Sequence, residues 1–207
     1  VKAHLSKDAG KTWSEEIMIS KPGFQCGGLT VDEGTGAIFA FVEERHPPAP
    51  IHVFKSVDHG KSWQKVDAVI KPDSKGNKPS MHMNDHGITL RHGKHAGRII
   101  RPSRFYAGAN AREKWPEHYT NAIFSDDGGE TWETSDPFPA NGTGEATIAE
   151  LSDGTVYYNS RRHWAQEGAD PRRRWTATSV DGGKTWKDLT FCKVLPDGPQ
   201  NTNYGCM

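Results

Sequence analysis

Apolar residues in this chain come in short runs, each closed by a cluster of Gly, Asp, Asn or Pro, a rhythm that predicts strands and tight turns rather than helices. Residues 26–31 and 37–42 flank the turn Asp32-Glu33-Gly34-Thr35-Gly36, residues 87–90 and 97–102 flank His92-Gly93, and residues 146–151 and 155–161 flank Ser152-Asp153-Gly154. Pro47-Pro48-Ala49-Pro50 predicts a rigid loop between two strands. Three further runs, Val53-Phe54-Lys55, Ala122-Ile123-Phe124 and Trp175-Thr176-Ala177-Thr178, lead directly into a polar box.

That box follows the pattern S-x-D-x-G-x-[ST]-W and stands at residues 6–13, 56–63, 125–132 and 179–186. Four copies in constant register mark a repeat protein. The Ser and Asp oxygens can accept hydrogen bonds from turn N–H groups. The Gly supplies a residue with φ > 0, and the Trp opens the returning strand and carries apolar surface into the packing between units. Asp8, Trp13, Asp58, Trp63, Asp127, Trp132, Asp181 and Trp186 are therefore read as scaffold.

Successive box tryptophans are 50, 69 and 54 residues apart, room for about four short strands each, which predicts the blades of an all-β propeller. The longest interval calls for an insertion, placed at residues 107–119, where Gly108, Asn110, Trp115 and Pro116 break any strand pattern. Twelve residues precede the first box Trp and 21 follow the last, which predicts about three complete blades with a partial blade at each side. Residues 1–207 are expected to be part of one propeller domain of a longer protein.

Composition narrows the classes. The 26 basic and 26 acidic side chains cancel, so nothing favours a nucleic-acid or anionic-membrane partner. Only 34% of residues are hydrophobic, with seven Trp and 22 Gly, and no apolar run approaches the roughly 20 residues of a membrane span. Cys26, Cys192 and Cys206 form neither a disulfide framework nor a metal pair. His82, His86, His92 and His95 match no zinc spacing and read as scattered loop histidines, so neither metal nor cofactor is expected. Arg172-Arg173-Arg174 reads as the solvated start of a strand.

The boxes resemble the Asp-box (BNR) repeats of the sialidases, or neuraminidases, whose members are six-bladed propellers. A more specific resemblance lies in Gly144-Glu145-Ala146-Thr147-Ile148-Ala149-Glu150-Leu151-Ser152-Asp153-Gly154-Thr155-Val156-Tyr157-Tyr158-Asn159-Ser160-Arg161. These 18 positions are similar to the family's N-E-x-x-[VI]-x-E-L-x-D-G-x-[LV]-x-x-N-x-R, with Gly144 where the family usually has Asn. His86-Gly87-Ile88-Thr89-Leu90, followed by Arg98-Ile99-Ile100-Arg101-Pro102-Ser103-Arg104-Phe105-Tyr106, is a second, weaker match.

The resemblance implies a retaining exo-α-sialidase acting on sialylated glycans. Sialic acid carries a carboxylate on its anomeric carbon, so a neutral Tyr activated by Glu avoids the repulsion an anionic nucleophile would meet. Three arginines grip the substrate carboxylate and a separate Asp serves as acid/base. By position Glu145 matches the activating Glu, Arg161 the second arginine, and Arg104 and Tyr106 substrate-pocket residues. The first arginine and the acid/base Asp would precede this chain, and the third arginine and the Tyr would follow it, Tyr204 being too close to the fourth box. The 207 residues alone are thus expected to be inactive. An extracellular or periplasmic setting suits such a substrate, while oligomeric state stays open. Two other readings remain: a non-catalytic propeller binding sugars or proteins, and a glycosidase of neutral plant polysaccharide, which would need paired catalytic carboxylates.

Overall fold

The computed structural model describes residues 1–24, 27–164 and 173–196. Cys26, Cys206, Arg172 and Tyr204 lie outside the described residues, and Cys192 is a buried free thiol. The strands are β1 (Lys2–Ala3), β2 (Ile17–Met18), β3 (Thr30–Val31), β4 (Ile38–Glu43), β5 (Ile51–Ser56), β6 (Gln64–Val66), β7 (Val69–Ile70) and β8 (Ile88–Thr89). They continue with β9 (Ile99–Phe105), β10 (Tyr119–Ser125), β11 (Thr131–Thr134), β12 (Ala146–Glu150), β13 (Val156–Ser160), β14 (Arg173–Ser179) and β15 (Lys187–Pro196).

Each predicted repeat is an antiparallel sheet whose strands lie side by side in chain order. The first blade is β3-β4-β5-β6, the second β8-β9-β10-β11 and the third β12-β13-β14-β15. The pair β1-β2 flanks the first box ahead of them. The second blade carries an addition absent from the sequence reading: β7, from the connecting segment, pairs in parallel with β11, Val69 opposite Thr131 and Ile70 opposite Trp132. Of the predicted first strand at residues 26–31, only Thr30–Val31 is strand among the described residues.

Strand alternation sends successive side chains to opposite faces, and here both faces are buried. Ile99 and Ile123 of the second blade pack with Phe39, Phe41 and Val53 of the first, whereas Ile100, Ala122 and Phe124 pack with Val156, Tyr158 and Trp186 of the third. The cores therefore lie between blades. A third cluster joins Ile19 to Ala40 and Val42 of the first blade. Each fully buried aliphatic or Phe side chain contributes about 1.5–3 kcal/mol.

The boxes close the corners between the third and fourth strands by one repeated set of bonds. The Ser Oγ donates to the Asp Oδ1 at 2.9, 2.8, 2.7 and 2.6 Å in the four copies and accepts from the box Gly N–H. The Asp Oδ1 accepts from the N–H of Thr12, Ser62, Thr131 and Thr185. The turn needs two consecutive left-handed residues, not one: Ala9-Gly10, His59-Gly60, Gly128-Gly129 and Gly182-Gly183 all have φ > 0.

The tryptophans do not behave alike. Trp132 is fully buried, meets Phe39 and Phe41 of the first blade edge-on and donates from Nε1 to the Gly129 carbonyl at 3.0 Å. Trp186 reaches the second blade, donating to Ser135 Oγ at 3.0 Å, and Trp63 is half-buried on the third cluster. Trp13 departs from the expected role: it is 64% exposed, because no blade covers it among the described residues.

The predicted insertion is present as two 3-10 turns, Ala107–Asn110 and Arg112–Glu117, between β9 and β10. It stands at the end of the sheets opposite the boxes. The ends of β4, β9 and β13 and the starts of β10 and β12 share that end, through the register Glu43↔Ile51, Phe105↔Tyr119 and Ala146↔Ser160.

Candidate functional site

Glu145 precedes β12 and Arg161 follows β13, one register step beyond Ala146↔Ser160. The Arg161 N–H donates to the Glu145 carbonyl at 2.9 Å and the Gly144 N–H to the Arg161 carbonyl at 3.0 Å. Residues directly opposite in an antiparallel pair project to the same face, and here the side chains meet: Arg161 Nη1 donates to Glu145 Oε1 at 2.8 Å. Both residues are only 3% exposed. Arg162 turns to the other face and lies over the stacked rings of Trp175 and Phe191.

Burial works against ionising Glu145, but the Arg161 charge, supported by Arg104, outweighs it and holds the carboxyl below its ordinary range. Its second oxygen, Oε2, has no hydrogen-bond partner among the described residues, and His163 Nδ1 lies 4.0 Å from it.

Arg104 and Tyr106, from the end of β9, come to the same rim. Arg104 is buried, donates from Nη1 to the Tyr106 hydroxyl at 3.3 Å and pairs through Nη2 with His118 Nδ1 at 3.0 Å. Burial pushes the Tyr106 phenol up to about 12, so this tyrosine stays protonated. His82, His118 and His163 are each held down to about 4, by burial first and with Arg104 contributing to all three. They are neutral at pH 7. His82 lies in the loop between β7 and β8, as expected, but it is not a scattered surface histidine: it is buried beside Phe24, His46 and Tyr106.

The same end holds a second carboxyl. Glu43, at the end of β4, accepts from Ser80 Oγ at 2.5 Å, and burial pushes it up to about 7 despite the Ser80 and Met81 bonds and the nearby Arg101. The surroundings drive the two carboxyls in opposite directions, leaving Glu145 ionised at neutral pH and Glu43 poised to hold or release a proton there.

Arg174 corrects the reading of the basic run. It is buried, donates to Asn159 Oδ1 and to the Glu145 carbonyl (3.1 Å from Nη2), and so fixes the backbone that carries Glu145. The signal was available: Trp175 and Ala177 pack on the core, so period-two alternation sends Arg174 away from it. Nothing in the sequence marked His163. Its Cβ lies over Gly144, where an added Cβ would come within 2.7 Å of it.

A groove of about 570 Å³ runs along β8 and β12 beside this cluster, with Ile88, Thr147, Asn159 and Arg174 in its walls. Among the described residues no group of three or more His, Cys, Asp or Glu could hold a metal ion, and no helix is long and apolar enough to cross a membrane. Two buried guanidinium groups near one ionised carboxylate suit an anionic ligand.

Comparison with known proteins gives the same direction. A family profile described as a BNR repeat-like domain matches residues 1–204. A sialidase of Micromonospora viridifaciens is 31% identical over 96% of this chain and 32% of its own length. An anhydrosialidase of Macrobdella decora is 28% identical over 72% of this chain and 17% of its own. The chain therefore spans less than a third of either relative. Among solved structures, a Hadza microbial sialidase superposes with a TM-score of 0.66 at 22% identity, over 92% of this chain and 40% of that one, a likeness of fold.

Proposed function

The chain belongs to the sialidase family with BNR repeats, and on that premise we propose that it forms part of the propeller domain of a retaining exo-α-sialidase. Relatives named sialidase and anhydrosialidase support a substrate of sialylated glycans. The observation that carries the reading is the buried Glu145–Arg161 pair, joined at 2.8 Å at the rim opposite the boxes, with Glu145 Oε2 left without a partner among the described residues.

In this reading Arg161, with Arg104 beside it, attracts the carboxylate of sialic acid. Glu145 uses one oxygen on Arg161, which keeps it ionised, and offers the other as a base to a tyrosine supplied by the rest of the protein. The proton leaves a neutral phenol as it attacks the anomeric carbon, so no anion approaches the substrate carboxylate. Arg174 keeps the Glu145 backbone in place.

The test is release of sialic acid from a fluorogenic sialoside by the full-length protein. Glu145→Gln and Arg161→Ala are each expected to lower kcat/KM by about 10²–10⁴-fold. Unchanged kinetics in both variants would end the proposal. Binding of a sialylated glycan without turnover by the wild type would instead favour a non-catalytic propeller.

A further inference from the structure

A cleft of about 420 Å³ lies at the same rim, between the loop that joins β4 to β5 and residues 78–80 of the segment between β7 and β8. Pro79 and Tyr106 are buried in its depth, residues 48–50 form one wall, and the exposed Arg45 and Lys78 stand at its mouth. The walls are fixed to one another and to the candidate site. Ser80 and Arg104 exchange backbone N–H to carbonyl bonds at 2.7 and 2.8 Å, which ties residues 78–80 to the strand leading into Tyr106. Phe105, half-buried in the cleft, rests on the Tyr119 ring at 4.9 Å between centroids, and the Tyr119 hydroxyl donates to Asp73 Oδ2 at 2.6 Å. Tyr106 belongs to both places: it lines the cleft, and its hydroxyl accepts from Arg104.

The charge around this cleft is one-sided. A second groove, of about 460 Å³, shares Arg45 and adds Lys21 and Lys65. Together the two present four basic side chains, Lys21, Arg45, Lys65 and Lys78, against one acidic, Glu44, in a chain whose 26 basic and 26 acidic side chains cancel. Glu44 is engaged by His52 at 2.7 Å, with Arg45 3.9 Å away, and the three lysines make no ion pair among the described residues. Proline and aromatic side chains offer flat apolar surface to the hydrocarbon face of a sugar ring, and the cations at the mouth offer donors to a carboxylate. We infer that the cleft is a binding subsite for a second carboxylate-bearing sugar, the unit linked to the sialic acid held at Glu145 and Arg161. The inference rests on the sialidase reading above. It makes the protein selective for glycans that end in two consecutive acidic sugars. Exposed charges act over roughly a Debye length, about 8 Å at physiological salt, so the selectivity is strongest in dilute buffer.

Three substrates test this in the full-length protein: a fluorogenic sialoside with no second sugar, sialyllactose with a neutral one, and a sialic acid dimer with an acidic one. KM for the dimer should lie about 3–10-fold below that for sialyllactose in about 50 mM salt, and the difference should close in about 0.5 M salt. Lys78→Ala should raise the dimer KM about 2–5-fold, and Lys78→Glu combined with Arg45→Glu about 10–30-fold, with kcat/KM for the fluorogenic sialoside within about twofold of wild type. Ala49→Trp, which narrows the cleft without changing its charge, should abolish the advantage of the dimer. Equal KM values for dimer and sialyllactose, a preference that survives high salt, or variants that leave the preference untouched or weaken all three substrates alike each overturn the inference and leave the sialidase reading intact. A wild-type protein that releases sialic acid from none of the three overturns that reading, and this inference with it.

Discussion

Glu43 sets a pH dependence that a single substitution can expose. Its folded pKa, about 7, lies above the ordinary glutamate value, so its contribution to stability is complete below about pH 4.5 and is lost as pH rises through 7. Glu43→Gln, an uncharged isostere that still accepts from Ser80, should melt higher than wild type at pH 8, by on the order of 1–3 kcal/mol, and the gain should vanish at pH 4. Thermal melts at the two values decide it. At Gly144 the expected effect is local overpacking: Gly144→Ala would set a Cβ 2.7 Å from that of His163 and should cost about 1–3 kcal/mol. Sequence could nominate Glu145 and Arg161 because a hairpin register relates them directly. It could not nominate His163, Glu43 or Ser80, whose meeting depends on how separate blades pack.

The blade is the unit in which sequence was most readable. Box spacing and turn chemistry located the sheets and the insertion after β9, since both signals are local. The parallel strand β7 was hidden because Val69 and Ile70 pair only across a break of about 60 residues, with Thr131 and Trp132. Nor could a conserved-looking box reveal that its four tryptophans have different surroundings. Trp132, enclosed by Phe39 and Phe41, should cost about 3–5 kcal/mol when replaced by Ala. Trp13, at 64% exposure, should cost under about 0.5 kcal/mol. Denaturant midpoints of the two variants, measured side by side, check the contrast.

Across the molecule, three neutral histidines at one rim give acid a foothold. His82, His118 and His163 have folded pKa values of about 4, below the ordinary 6.5, so their contribution is complete above pH 6.5 and disappears as pH falls toward 4. The melting temperature should drop over that interval, and His118→Gln should shallow the drop; a flat profile from pH 7 to 4 would contradict it. The added strand has another consequence. By occupying the ladder of β11, Val69 and Ile70 become the outermost strand of the second blade, and at two residues it offers a foreign chain a shorter template than β11 would, a safeguard against intermolecular stacking contributed by a connecting segment rather than by the repeat itself.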